Sequence, residues 1–197
     1  MTSPIYQLDT VLSKRYIEGA CSERLQDYPQ LGRLLAKYRR LLAQWHDAPA
    51  AGSTYERTIE FSSGDYYVLR WSVERTLESI RQTPLSLSVP ALLGVLDAEA
   101  CLEEGPVILV HHPFLAEEAQ HILISGGRRI LQYAERGAEA IEAYVLAPEQ
   151  HYPALQTPLD QLLYLIHGSI VALMNYMEGH ISEEELQEFL DQTTAFE

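Results

Sequence analysis

The sequence predicts an α+β fold, on three observations. Both ends of the 197 residues carry apolar residues at helical spacing. The middle holds short runs rich in β-branched and aromatic residues, punctuated by glycine and proline. Hydrophobic residues make up 47% and charged residues 21%, the balance of a chain that buries a core, which excludes a disordered tail. The expected organisation is a helical plus β-hairpin region over 1–83, a core over 84–150, and acidic helices over 151–197 forming one compact unit with that core.

The elements follow in order. A weak helical pattern covers 7–19. Residues 30–46 read as an amphipathic helix, because Leu31, Leu34, Leu35, Tyr38, Leu41, Leu42 and Trp45 share one face. Pro29 suits its first turn, and Arg33, Lys37 and Arg40 line the other face. Residues 48–53 read as a loop. The runs 58–61 and 66–71, separated by Ser-Ser-Gly-Asp, predict a hairpin. A helix over 72–82 follows, with Ser72 as its cap. Residues 85–90 alternate like a strand, and 92–105 read as a helix ending at Gly105. Strands are expected at 106–112, 121–126 and 140–146, with a helix at 127–136 stopped by Gly137. Thr157-Pro158-Leu159-Asp160 opens a helix whose run 162–177 is apolar but contains His167 and Asn175, so it reads as a core or dimer helix and not as a membrane span. Ser182 to Glu185 is a capping box opening a last helix over 183–191.

Composition excludes several functions. Lys+Arg is 14 against Asp+Glu 28, a formal net charge of -14, which disfavours coating nucleic acid. Two cysteines, Cys21 and Cys101, make no disulfide scaffold. The first residues lack the basic and apolar regions of a signal peptide, so a cytoplasmic location is expected. Neither lysine, Lys14 or Lys37, follows a glycine, and no CxxC, HExxH or GxSxG occurs. P-loop, zincin and α/β-hydrolase chemistries are therefore disfavoured.

Charge also marks one spot. After Arg81 the only bases are Arg128, Arg129 and Arg136. The doublet sits in Gly126-Gly127-Arg128-Arg129, between an expected strand and an expected helix. Glycines allow a ligand close to the backbone, first-turn N–H groups point outward, and two guanidiniums add forked donors. Two readings stand: a phosphate or carboxylate site, or a structural turn with paired arginines.

The stretch from His121 to Leu146 resembles the second conserved box of the ParB/sulfiredoxin fold. In ParB-type partition proteins that box runs strand, Gly-Glu-Arg-Arg, helix, Gly, strand. Gly126, Arg128, Arg129, Gly137 and Ile141 fall in register, and residues 105–112 sit where the family has its Pro-Ile-x-Val strand. The resemblance covers about residues 85–147. It implies phosphate binding at Gly126, Gly127, Arg128 and Arg129, with ATP or CTP and Mg²⁺ as cofactors. The family's glutamate, and the reactive cysteine of sulfiredoxins, are replaced by Gly127 here; the box's further Arg and Ala are Leu131 and Gln132. CTPase and sulfiredoxin chemistry are thereby disfavoured. The plasmid fertility-inhibition protein Osa is an analogue at the level of fold.

His111, His112 and His121 bracket a loop with Glu117 and Glu118. Neighbouring strand residues face opposite ways, so only one of His111 and His112 joins a site. His112, Glu117 and His121 are the candidate base or metal ligands, against the alternative of a solvated loop. His167 reads as a hydrogen-bonded core residue, Tyr133 as a packing residue, Cys101 as a buried thiol, and Glu103 and Glu104 as solvated charges.

Two functions are expected. One is a nucleotide- or phosphodiester-binding protein, acting as a weak metal-dependent nucleotidase or DNase of a plasmid or mobile element. The other is a non-enzymatic acidic inhibitor that contacts a basic protein, as a fertility-inhibition factor or immunity protein does. No membrane insertion is expected, and a homodimer through 162–177 is a further expectation.

Overall fold

The computed structural model describes residues 4–21, 26–46, 51–96, 104–116 and 119–197. The chain is mixed α+β. Its elements are β1 (Tyr6–Gln7), α1 (Lys14–Ala20), α2 (Leu31–Gln44), β2 (Thr54–Glu60), β3 (Tyr66–Ser72), α3 (Val73–Ser79), β4 (Leu85–Ser88), α4 (Val89–Leu93), β5 (Val107–His111), β6 (His121–Ser125), α5 (Gly127–Glu135), β7 (Ala140–Leu146), α6 (Pro148–His151), α7 (Pro158–Met177) and α8 (Glu183–Gln192). Internal contacts divide it into two units. One comprises Met1–Pro49, Thr58–Leu69 and Thr157–Glu197, the other Ala50–Arg57 and Arg70–Gln156. The division follows packing and not chain order: the C-terminal helices group with the N-terminal ones.

In the first unit α7 packs with α1, α2 and α8. The apolar stripe of α2 is buried from Leu31 to Leu42, as its spacing requires. Gln30 is the cap of α2, so Pro29 lies one residue before it and not in the first turn. The weak pattern at 7–19 resolves differently from a single helix. Tyr6 and Gln7 pair with Tyr67 and Tyr66 of β3. Helix α1 starts only at Lys14, because the Ser13 hydroxyl accepts from the Tyr16 N–H at 3.1 Å. Asp65, beside the hairpin turn, accepts from the N–H groups of Thr10 and Val11 at 2.7 and 2.8 Å, which fixes the intervening turn.

Helix α7 begins where the sequence predicts. The Asp160 carboxylate accepts from the Thr157 N–H and hydroxyl at 2.9 and 2.6 Å, and the Thr157 hydroxyl accepts from the Asp160 N–H at 3.2 Å. All of this is buried, so Asp160→Ala leaves two donors unsatisfied. It is expected to cost about 2 kcal/mol in urea unfolding; a change within about 0.5 kcal/mol, the range of neutral surface substitutions, would show that the cap is redundant. Along α7 the apolar run is buried within the single chain, with no exposed residue between Gln161 and Glu178, which leaves little of it for a second copy. Among the described residues no helix is long and apolar enough to cross a membrane.

The second unit holds a four-stranded sheet in the order β4-β7-β5-β6. β4 is antiparallel to β7, β5 parallel to β7, and β5 antiparallel to β6. Val89 and Leu92 of α4 and Ile130 of α5 pack on Val107, Leu109, Leu123, Ile141 and Ala143 of the sheet. The helix expected over 92–105 is replaced by α4, which starts earlier at Val89 after Ser88 and ends at Gly94. Pro90 sits in its first turn, where the missing N–H is harmless, so β4 stops at Ser88. The rest of that expectation, including Cys101 and Glu103, falls on residues 97–103, outside the described residues.

Candidate functional site

The sheet delivers β6 into α5 through Gly126, whose φ of 85° and ψ of 14° are left-handed. A Cβ there would lie 2.7 Å from the Pro106 carbonyl oxygen and the Val107 Cα, and 2.8 Å from the Val107 nitrogen. Both the conformation and the close approach therefore demand glycine. Gly127 follows, buried, as the first residue of α5. The first bond of the helix runs from the Ile130 N–H to the Gly126 oxygen at 3.1 Å. The N–H groups of Gly127, Arg128 and Arg129 precede it and have no acceptor within the helix.

Arg128 and Arg129 are both exposed. Arg128 forms an ion pair with Glu104, and the two side chains are 51% and 71% exposed, so the pair is screened and contributes little. Arg129 lies over the Tyr133 ring at 6.0 Å, a cation–π contact, while Tyr133 packs against the core. The segment before β5 closes the junction from its other side. The Ser125 hydroxyl, fully buried, donates to the Glu104 carbonyl at 3.4 Å. Glu104 is thus anchored by its backbone and offers its carboxylate to Arg128.

The histidines lie elsewhere. β6 is five residues long, so His121 stands about 15 Å along the strand from Gly126. His121 faces His111 across the β5–β6 pair. His112 turns the other way: it is fully buried, with its ring edge-on to Phe114 at 5.5 Å. The expected grouping of His112 with His121 is therefore corrected to His111 with His121, because strand neighbours alternate faces and the register pairs 111 with 121. Glu117 and Glu118 lie outside the described residues. Neither His112 nor His121 reaches a phosphate held by Arg128 and Arg129, since base chemistry needs hydrogen-bond distance or one water.

Three groups in the second unit escaped the sequence. His151 is fully buried on α6; its Nδ1 lies 3.4 Å from the Trp71 Nε1, which donates, and its Nε2 lies 2.9 Å from the His111 carbonyl, to which it donates. Burial lowers its pKa to about 4, so the ring is neutral and structural. Arg57, only 1% exposed, donates from Nε to the Leu123 carbonyl of β6 at 2.6 Å. Arg75 donates to the carbonyls of Pro153 and Gln156 at 3.2 and 2.9 Å, beside a hollow of about 440 Å³ also lined by Arg81 and Glu149. Nothing local in the sequence signals these roles, because each partner is a backbone carbonyl or ring many residues away. Among the described residues no three His, Cys, Asp or Glu side chains form a metal cluster.

Fold and site together define a mixed α+β chain with a glycine-built strand-to-helix junction that presents two arginines. No family model, curated protein or solved structure matches this chain.

Proposed function

We propose that the chain is a phosphate-recognising protein with a ParB/sulfiredoxin-like core, and that Gly126, Gly127, Arg128 and Arg129 receive a nucleotide or phosphodiester. The observation that carries this reading is the left-handed Gly126. It turns the chain from β6 into α5, so that three first-turn N–H groups stand at the same end of the helix as two exposed guanidiniums. The order β4, α4, β5, β6, α5, β7 supports the resemblance noted in the sequence. The Glu104 carboxylate occupies the place at Arg128 that a phosphate oxygen would take. An exposed pair of this kind yields to a doubly charged ligand. With Gly127 in place of a carboxylate and the histidines about 15 Å away, the reading is recognition and not hydrolysis.

Thermal shift tests it, with ATP, CTP and short single-stranded DNA, each with and without Mg²⁺. A ligand at about 100 times its Kd stabilises by about 2.7 kcal/mol. That shift is expected in the wild type, absent in Arg128→Ala/Arg129→Ala, and reached at lower ligand concentration in Glu104→Gln, which removes the competing carboxylate. A wild-type shift that survives the double substitution would remove the assignment.

A second reading rests on the same ion pair. If Glu104 is the lasting partner of Arg128, the junction is structural and the acidic surface is the functional one. Helix α8 exposes Glu183, Glu184, Glu185, Glu188 and Asp191, a surface suited to a basic protein partner. This reading predicts no ligand shift, and capture of a basic partner that weakens steeply with salt.

A further inference from the structure

β5 and β6 bring two imidazoles together, independently of the phosphate reading. The register pairs His111 with His121. The His112 N–H donates to the Gln120 carbonyl at 2.7 Å, so the flanking pair is bonded. His111 and His121 are then a non-hydrogen-bonded pair, the kind in which opposed side chains stand closest. Their ring centroids are 5.2 Å apart and their planes inclined by 46°. His121 is exposed and His111 half-buried, so water reaches the pair.

We propose that His111 and His121 form a two-imidazole site for a divalent transition metal of the Zn²⁺ class, with water completing the coordination. Zinc–nitrogen bonds of about 2.0–2.1 Å set the metal about 3.2 Å from each ring centroid, and two rings at a tetrahedral angle then have centroids about 5.2 Å apart. The observed centroid separation of 5.2 Å equals that value. Imidazole selects Zn²⁺, Cu²⁺ or Ni²⁺, whereas Mg²⁺ and Ca²⁺ take oxygen ligands. An imidazole with an ordinary pKa of about 6.5 is mostly neutral at neutral pH and offers a lone pair to a metal.

The surroundings hold one ligand in place. The His111 carbonyl accepts from the buried His151 ring, itself held by Trp71, which fixes the end of β5. β6 is the outer strand of its sheet, and its pairing with β5 shifts between Ile108 and Leu109, where Ile124 is the extra residue. A bound metal would staple this outer strand to β5 at the far end of the ladder from that bulge. Its remaining positions stay open to water or a small anion.

Calorimetric titration of the full chain with Zn²⁺, Ni²⁺ and Mg²⁺ tests the site, alongside Zn²⁺-dependent thermal shift. One equivalent of Zn²⁺ is expected to bind and to raise the melting temperature, with no response to Mg²⁺. His111→Asn and His121→Asn are each expected to weaken binding on the order of tenfold or more. His180→Asn, at an exposed histidine outside the pair, leaves it unchanged. His121 is exposed, so His121→Asn keeps the fold and carries the test alone should His111→Asn unfold. Binding unaffected by His121→Asn, or no binding to the wild type, overturns the proposal.

Discussion

Replacing Gly126 by alanine is expected to destabilise the protein by about 3 kcal/mol or more. Two costs combine at this position. A residue with a Cβ in the left-handed region costs about 1–2 kcal/mol. The added methyl would also lie 2.7 Å from the backbone of Pro106 and Val107, which has no flexible end to give way, and overpacking of this kind adds about 1–3 kcal/mol. Gly137 separates the two terms. Its φ is 69°, but nothing lies within 4 Å of a Cβ built there, so Gly137→Ala carries the conformational cost alone. Urea unfolding of both variants measures the difference. Equal losses would show that the start of β5, at Pro106 and Val107, moves aside freely, and that Gly126 does not lock the junction. A larger loss at Gly126, with Arg128 no longer held by Glu104, would tie the integrity of the candidate site to this one backbone contact.

Acid is expected to weaken the first unit through His167. The ring is buried on α7 between Phe61 and Tyr67, and its Nδ1 lies 2.7 Å from the Tyr67 hydroxyl. Burial pushes the Tyr67 pKa well above its usual value, so the phenol keeps its proton and donates it to Nδ1. Burial lowers the His167 pKa to about 3. The folded pKa is below the unfolded value of about 6.5, so the unfolded chain binds the proton first. Stability from this residue is complete above about pH 6.5 and declines as pH falls towards the folded value, by at most about 1.4 kcal/mol per pH unit. Several kcal/mol are at stake, a large part of a typical folding stability of about 5–15 kcal/mol. His167→Gln keeps an acceptor for Tyr67 but does not titrate. The expected result is a flatter dependence of unfolding free energy on pH between 6.5 and 4.5 in that variant. His151 contributes to both proteins and cancels in the comparison. Parallel curves for the two would remove the assignment to His167.

What the sequence determined by itself is the set of features written in consecutive residues. Leu31 to Leu42 form the buried stripe of α2 because helical spacing puts them on one face. Thr157 and Asp160 start α7, and Ser182 and Glu185 start α8, because each cap is made within three residues. The junction from β6 through Gly126 to Arg129, and the stop at Gly137, were legible for the same reason: strand, glycine, helix and glycine follow one another in the chain. Tertiary structure decided everything that depends on a distant partner. The two-residue β1 exists only because Tyr67 and Tyr66 lie opposite it. The choice of His111 over His112 follows from the β5–β6 register, which a bulge at Ile124 resets. Glu104 meets Arg128 across 24 residues, Arg57 meets Leu123 across 66, and Trp71 meets His151 across 80. Local hydrogen bonding and side-chain periodicity fix the former, whereas the latter wait for strand order and packing to bring separated segments within bonding distance.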